Sequence, residues 1–146
     1  MTAIRAIALA LPSATERAIG PVGGAVDATE TVAAYGAAWN EPDDAARAAL
    51  LASAWSDDGT YEDPTGRADG RAALVAHIGG FHVMMPGHTI VQTTGVDVYG
   101  CLFRFGWAMR HETDVAVEGM DFGEFADDGR IRRITGFFGP FPELAT

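Results

Sequence analysis

Residues 55–64, WSDDGTYEDP, mark a change from helical to extended structure. The Asp-Asp-Gly triplet at 57–59 is typical of turns and predicts the end of a helix. Residues 60–63 favour a short strand, because a proline follows and proline lacks the N–H that a sheet needs. Side chains alternate along a strand, so Tyr61 and Asp63 are predicted to share one face.

A first helix is predicted on the amino-terminal side of this segment. Asp27 and Glu30 have the spacing of a capping box, in which two side chains satisfy free backbone N–H groups at the start of a helix. Val32, Tyr35 and Trp39 then recur at helical spacing. The three side chains are therefore expected on the buried face of this helix.

Two more helices are predicted around the same segment. Pro42 follows a break at residues 40–41 and suits the first turn of the second helix. The third helix is predicted over residues 71–81, after a loop at residues 65–70, and residues 84–87 close it. The inner face of the second helix is predicted to carry Ala48, Leu51, Ala52 and Trp55.

The remaining sequence favours β-structure, because β-branched and aromatic residues cluster between turn signals. Asp-Asp-Gly at 127–129 predicts a tight turn between the last two strands. Helices followed by a run of antiparallel strands predict an α+β architecture. The four predicted strand segments are 88–98, 101–110, 115–125 and 130–138.

Length and composition indicate one soluble globular domain. The chain has 146 residues, of which 48% are hydrophobic and 21% charged, values typical of a folded domain. Residues 1–26 show no clean period and lead into a glycine-rich stretch, so we predict a flexible N-terminal extension there and the domain over 27–146. A short secretory signal in the extension is the alternative.

The charge and the cysteine content restrict the partners and the compartment. The net charge is −10, and neither nucleic acid nor an anionic membrane surface attracts such a protein. Cys101 is the single cysteine, so an intrachain disulfide is not possible and a cytoplasmic location is expected. Its apolar, strand-like surroundings predict a buried thiol.

Strand alternation places one acidic residue among apolar neighbours. Asp121 shares its parity with Val115 and Val117, and this set is predicted to face the helices. Burying a carboxyl is unfavourable unless it is hydrogen-bonded or functional. The preceding strand presents one broad apolar face made of Phe103, Phe105, Trp107 and Met109.

The segment 55–64 resembles the helix-to-strand junction of the SnoaL-like and ketosteroid isomerase-like branch of the NTF2-like superfamily. An aromatic residue, two acidic residues, a short strand and Asp-Pro are typical of that junction. The segments 118–121 (EGMD) and 128–131 (DGRI) match as well, and the resemblance covers about residues 28–141. It implies a cone-shaped fold, in which a curved, mostly antiparallel sheet and three N-terminal helices enclose a pocket.

The resemblance also implies catalytic residues. Asp63 falls where ketosteroid isomerases keep their general base, and Tyr35 where they keep an oxyanion-hole tyrosine. Asp121 falls where they keep a protonated aspartic acid that donates to the same oxyanion. His77 is a further candidate acid or base near neutral pH. Asp63 has a simpler interpretation too, because an aspartate at a strand end often only caps a turn.

We expect a hydrophobic small-molecule substrate, which large apolar side chains would contact. These are Trp39, Trp55, Tyr61, Phe81, Met84, Phe105, Trp107 and Phe137. The hypothesis is a small enzyme, without cofactor or metal, that performs acid–base chemistry on a hydrophobic ketone or polyketide-like molecule. Enolisation-type isomerisation and aldol cyclisation would use the same groups.

Two other functions remain open, and a homodimer is expected in each case. One is a non-catalytic NTF2-like module that binds an apolar ligand or a partner protein. The other is an epoxide hydrolase of the same fold, which would need an Asp-Arg-Asp set to activate water. Arg104 lies inside a strand, but no Arg-x-Asp follows it.

Overall fold

Three helices form the amino-terminal half of the described chain. The structure is a computed structural model and describes residues 27–146, so the extension predicted over 1–26 lies outside the described residues. The helices are α1 (Ala28–Asn40), α2 (Asp44–Ala54) and α3 (Arg71–Met84). None of the helices within the described range is both long and apolar enough to cross a membrane.

Aspartate side chains set the beginnings of the first two helices. Asp27 is the N-cap of α1 and accepts from the backbone N–H of Thr29 at 2.9 Å, which confirms the predicted capping residue. Asp43 caps α2 by accepting from the N–H of Ala46 at 2.8 Å. The prediction that Pro42 lies in the first turn of α2 is therefore wrong, because the capping aspartate follows the proline.

Seven strands form one sheet in the order β2-β1-β7-β6-β5-β3, and β4 pairs with β5 as well. β1 runs parallel to β7, and the other pairs are antiparallel. Two helices come first, the third follows β1 and β2, and the other five strands come after it, which confirms the α+β fold. The strands are β1 (Trp55–Asp63), β2 (Gly66–Asp69), β3 (His88–Gln92), β4 (Asp97–Tyr99), β5 (Leu102–His111), β6 (Asp114–Phe125) and β7 (Ile131–Phe138).

The helix-to-strand junction lies earlier than the sequence predicts. α2 ends at Ala54, and β1 already begins at Trp55. The pairing of β1 with β7 changes register between Trp55 and Thr60. A Cβ at Gly59 would lie 2.4 Å from the Trp55 indole nitrogen, so the glycine makes room for the buried indole. The triplet at 57–59 is thus an irregular part of a strand rather than a helix end.

Two further assignments of the extended regions are corrected. The predicted loop at 65–70 contains β2, which pairs with β1 from Thr60↔Asp69 to Asp63↔Gly66. The sequence of β2, GRAD, lacks β-branched and aromatic residues, so this segment is extended because it pairs with β1. The predicted strand 88–98 is two strands, β3 and β4. Cys101 is exposed, not buried, because it lies in the turn between β4 and β5.

The inner face of α2 also differs from the prediction, because Ala52 is exposed and Arg47 is completely buried. The Arg47 guanidinium donates to the carbonyl oxygens of Glu41, Pro42 and Val75 and to the Asp44 carboxylate. These bonds join the α1–α2 link to α3. Helical periodicity misses such a residue, because it treats arginine as a surface side chain.

The helices pack on one face of the sheet. Asp121 of β6 is on that face and is 5% exposed. Val117 is half-buried on the same face, whereas Val115 is exposed, contrary to the prediction. The register between β5 and β6 shifts there, since Met109 pairs with Val117 but Arg110 pairs with Val115. The extra residue in β6 changes the alternation of side chains at the start of the strand, next to the turn from β5.

Candidate functional site

A cavity of about 570 Å³ lies between the helices and the sheet. α1 and α3 form one wall, and the inner faces of β5 and β6 form the other. Most side chains in the wall are aromatic or aliphatic. Carboxyl groups reach the cavity from Asp63 and Asp121, and phenol groups from Tyr35 and Tyr61. The site is therefore an apolar hollow with a small group of proton-carrying side chains.

Asp121 is the buried carboxyl of the cavity. The Trp107 indole N–H donates to its Oδ1 at 3.0 Å, and the Tyr35 hydroxyl donates to its Oδ2 over a longer 3.4 Å. The pKa of Asp121 is raised to about 6: burial raises it most, the two hydrogen bonds lower it, and the charge of Asp63 raises it. Asp121 can thus exchange a proton near neutral pH.

Asp63, at the end of β1, is held by the following turn. Its Oδ1 accepts from the N–H and the hydroxyl of Thr65, at 2.7 and 2.5 Å, and from the N–H of Gly66 at 3.2 Å. Its Oδ2 accepts from the Tyr61 hydroxyl at 2.6 Å. Asp63 therefore caps the β1–β2 turn while its carboxyl also borders the cavity. A substrate would have to compete with Tyr61 for Oδ2.

Gly136 allows the two carboxyl groups to share one end of the cavity. It pairs with Asp121 across β6 and β7. A Cβ at Gly136 would lie 2.8 Å from Asp121 Oδ1, 3.5 Å from Asp63 Cβ and 3.8 Å from the Tyr61 hydroxyl. The three polar side chains thus surround the space that the glycine leaves empty.

Tyr35 is a buried part of the cavity wall and faces Asp121. Its ring stacks on the Trp55 indole, with centroids 5.7 Å apart and planes 18° apart. Burial, followed by the charge of Asp121, raises the pKa of Tyr35 well above its usual range. The phenol therefore keeps its proton at neutral pH and is a hydrogen-bond donor.

His77 is the histidine that borders the cavity. Its ring centroid lies 5.2 Å from that of Tyr61 and 6.1 Å from that of Trp39. Phe81 approaches Trp39 from the next turn of α3, at 5.7 Å. These rings form an aromatic wall beside the Asp63 end of the cavity.

The architecture and the sequence agree with one family. The sequence model of the SnoaL-like domain matches residues 32–134, which is more than half of the chain. The chain belongs to the SnoaL-like family. No curated protein sequence matches it significantly.

Solved structures support this membership. A candidate isomerase of the SnoaL-like family from Agrobacterium tumefaciens C58 is 29% identical, covers 76% of this chain and 96% of its own, and gives a TM-score of 0.72. A candidate polyketide cyclase from Sinorhizobium meliloti is 16% identical, with 73% and 93% coverage and a TM-score of 0.58. A candidate SnoaL-like polyketide cyclase from Jannaschia sp. CCS1 is 12% identical, with 80% and 91% coverage and the same TM-score. The last two show the fold alone.

In this SnoaL-like protein, two of the side chains predicted to contact a substrate lie elsewhere. Trp55 is completely buried in the core behind Tyr35, because it begins β1 instead of facing inward from a helix. Phe137 is 61% exposed and contacts Phe122 on the opposite face of the sheet. The other predicted wall residues border the cavity: Trp39, Tyr61, Phe81, Met84, Phe105 and Trp107.

Sequence reasoning also missed parts of the cavity. Phe138 borders it in place of Phe137, and the alternation of β7 beyond Gly136 would have identified this residue. Met109 and Val117 border it as a cross-strand pair. Gly136 carried no signal, because its importance depends on which residue pairs with it across the sheet.

Proposed function

We propose that this SnoaL-like protein is a cofactor-free enzyme that moves a proton beside the carbonyl group of a hydrophobic ketone or polyketide-like molecule. The outcome would be enolisation-type isomerisation or intramolecular aldol cyclisation. One observation carries the proposal: a buried carboxyl, Asp121, lies against a protonated phenol in an apolar cavity. Such an arrangement serves proton abstraction, because it combines a base with a donor for the developing oxyanion.

Asp121 is the better base on geometry, because its Oδ2 has only a 3.4 Å contact with Tyr35, whereas Oδ2 of Asp63 accepts from Tyr61 at 2.6 Å. With a pKa of about 6, Asp121 is mostly ionised at pH 7. The carboxylate takes a proton from the carbon next to the carbonyl, the C–H electron pair forms a C=C bond, and the carbonyl π pair moves to oxygen. The Tyr35 hydroxyl donates to that oxygen. Returning the proton to another carbon gives an isomer and re-forms the carbonyl. Attack of the enolate carbon on a second carbonyl instead closes a ring, and the alkoxide formed there takes the proton back from Asp121.

The ketosteroid isomerase resemblance implies other roles, with Asp63 as the base and a protonated Asp121 as a donor. Asp63 already accepts hydrogen bonds from the turn and from Tyr61. We therefore favour Asp121, rather than Asp63, as the base. His77 borders the same space and is a second candidate for returning the proton. A covalent route through a lysine imine does not apply, because the 146 residues contain no lysine.

The most direct test is turnover of a β,γ-unsaturated ketone. We expect Asp121→Asn to lower kcat/KM on the order of 1,000-fold, because it removes the general base, and Asp63→Asn to lower it less. Asp58→Asn changes an exposed carboxylate of β1 and is the matched control. Full activity in Asp121→Asn would contradict the proposal. A larger loss in Asp63→Asn would restore the roles that the resemblance implies.

A non-catalytic module that binds an apolar ligand or a partner protein is the second candidate. The observation in its favour is the exposed aromatic pair Phe122 and Phe137 on the face opposite the cavity. A binder would take up hydrophobic ketones in a calorimeter without converting them. The epoxide hydrolase alternative gains no support, because none of the described residues around the cavity is an arginine. Arg104 pairs with Asp97 away from the cavity.

A further inference from the structure

We propose that Trp107 is a positioning residue, which holds Oδ1 of Asp121 and leaves Oδ2 as the oxygen that takes and returns the proton. The inference rests on the proposed function of Asp121 as the base. It assigns to Trp107 a task that differs from forming part of an apolar wall, because the task depends on its indole N–H. The substrate would meet Trp107 only through the ring.

The sheet register brings the indole to the carboxyl. Trp107 of β5 pairs directly with Gly119 of β6, and Asp121 pairs directly with Phe105. Trp107 and Asp121 are therefore diagonal neighbours on one face of two antiparallel strands, a separation that a long aromatic side chain can bridge. The bridge is the 3.0 Å bond from Nε1 to Oδ1.

Gly119 makes room for the Trp107 indole. A Cβ at this position would lie 2.3 Å from Trp107 Cζ2 and 2.5 Å from Cε2. The ring thus occupies the space that a side chain at Gly119 would fill, and Phe138 approaches it from the next strand with a centroid distance of 6.2 Å. Glycine below and phenylalanine beside the ring fix the direction in which the N–H points.

The two carboxyl oxygens are consequently different. An indole nitrogen only donates, so it cannot deliver a proton to or accept one from Oδ1 in the reaction. Oδ2 has the longer 3.4 Å contact with the Tyr35 hydroxyl and is the oxygen less tightly held. The bond from Trp107 also stabilises the ionised form of Asp121, since it lowers the pKa that burial raises.

Trp107→Phe keeps a ring but removes the N–H. We expect this variant to raise the midpoint of the Asp121 carboxyl titration, measured by ¹³C NMR, by about one pH unit. The acidic limb of the kcat/KM profile should move upward by the same amount. An altered wall alone would change KM without moving that limb.

Phe122→Leu is the control, because Phe122 is next to Asp121 in β6 but lies on the opposite face of the sheet, where it contacts Phe137. It removes an aromatic ring from β6 and leaves the bond from Trp107 to Asp121 in place, so the Asp121 midpoint should stay unchanged. An equal shift in Phe122→Leu, or no shift in Trp107→Phe, would overturn the inference.

The wild-type protein gives an independent measurement that does not depend on whether a variant folds. One of the three indole N–H resonances should titrate with the same midpoint as Asp121, and the Trp107→Phe spectrum identifies it. If the chemical shift of the Trp107 indole N–H does not change with the Asp121 titration, the positioning role is contradicted. If these titrations agree but no ketone is converted, the proposed function fails and the Trp107–Asp121 contact stands.

Discussion

Asp121 shows how a buried carboxyl group lowers stability as the pH rises. Its folded-state pKa of about 6 exceeds the ordinary value of 3.8. The folded state therefore holds the proton more tightly than the unfolded state, and the free energy of unfolding falls as the pH rises from about 4 through 6. At pH 7 the ionised form reduces stability by up to about 3 kcal/mol.

The corresponding prediction is that Asp121→Asn is more stable than wild type at pH 7.5. The gain should approach about 3 kcal/mol and disappear below pH 4, where wild-type Asp121 is neutral as well. Urea unfolding at the two pH values measures it. Asp58→Asn serves again as the control, because Asp58 is exposed. A variant that is less stable than wild type at both pH values would contradict the prediction.

At the scale of the elements, the side chain of Arg47 joins the helices through hydrogen bonds. Its guanidinium is completely buried and bonds three carbonyl oxygens and the exposed Asp44 carboxylate. We expect Arg47→Met to reduce the free energy of unfolding by about 3 kcal/mol, because it leaves three part-buried carbonyl groups without these donors. Arg132→Met, at an arginine with a 55% exposed side chain bonded to Glu124, should change it far less. Equal losses would contradict this role.

The elements also show what the sequence could predict. The buried face of α1, with Val32, Tyr35 and Trp39, follows from a cap and a regular period, both of which are local. β2 could not be predicted, because its residues become a strand only by pairing with β1. Phe137 was placed on the wrong face of β7, since the inner face was not known before the register with β6.

The same limit applies to the site. Strand parity places Asp121 inward, and the family resemblance places Tyr35 near it, so this pair could be anticipated. The Trp107 bond and the space at Gly136 depend on which residues face each other across two strand pairs. A single sequence contains no direct record of that register, because many pairings satisfy the same alternation.

At the scale of the whole molecule, we expect a homodimer of twice 15.4 kDa. Phe122 and Phe137 contact each other on the sheet face opposite the cavity, and they are 41% and 61% exposed. A two-fold interface would cover this aromatic pair on both copies. Light scattering at micromolar concentration should give the dimer mass for wild type and the monomer mass for Phe137→Glu, which would bring two charges to the interface.

Val83→Glu is the control, because Val83 is 82% exposed near the end of α3, on the helical side of the sheet. It should remain a dimer. A wild-type protein that scatters light as a monomer, or a Phe137→Glu protein that remains a dimer, would contradict an interface at this face.

The distribution of the indoles gives the molecule a built-in optical reporter. Trp39 and Trp107 border the cavity, whereas Trp55 is completely buried in the core. A compound that displaces water from the hollow will shift the emission of the first two fluorophores to shorter wavelengths and leave the third as a constant reference. Candidate substrates can therefore be screened by fluorescence without a label, and Trp107→Phe separates the two responding rings.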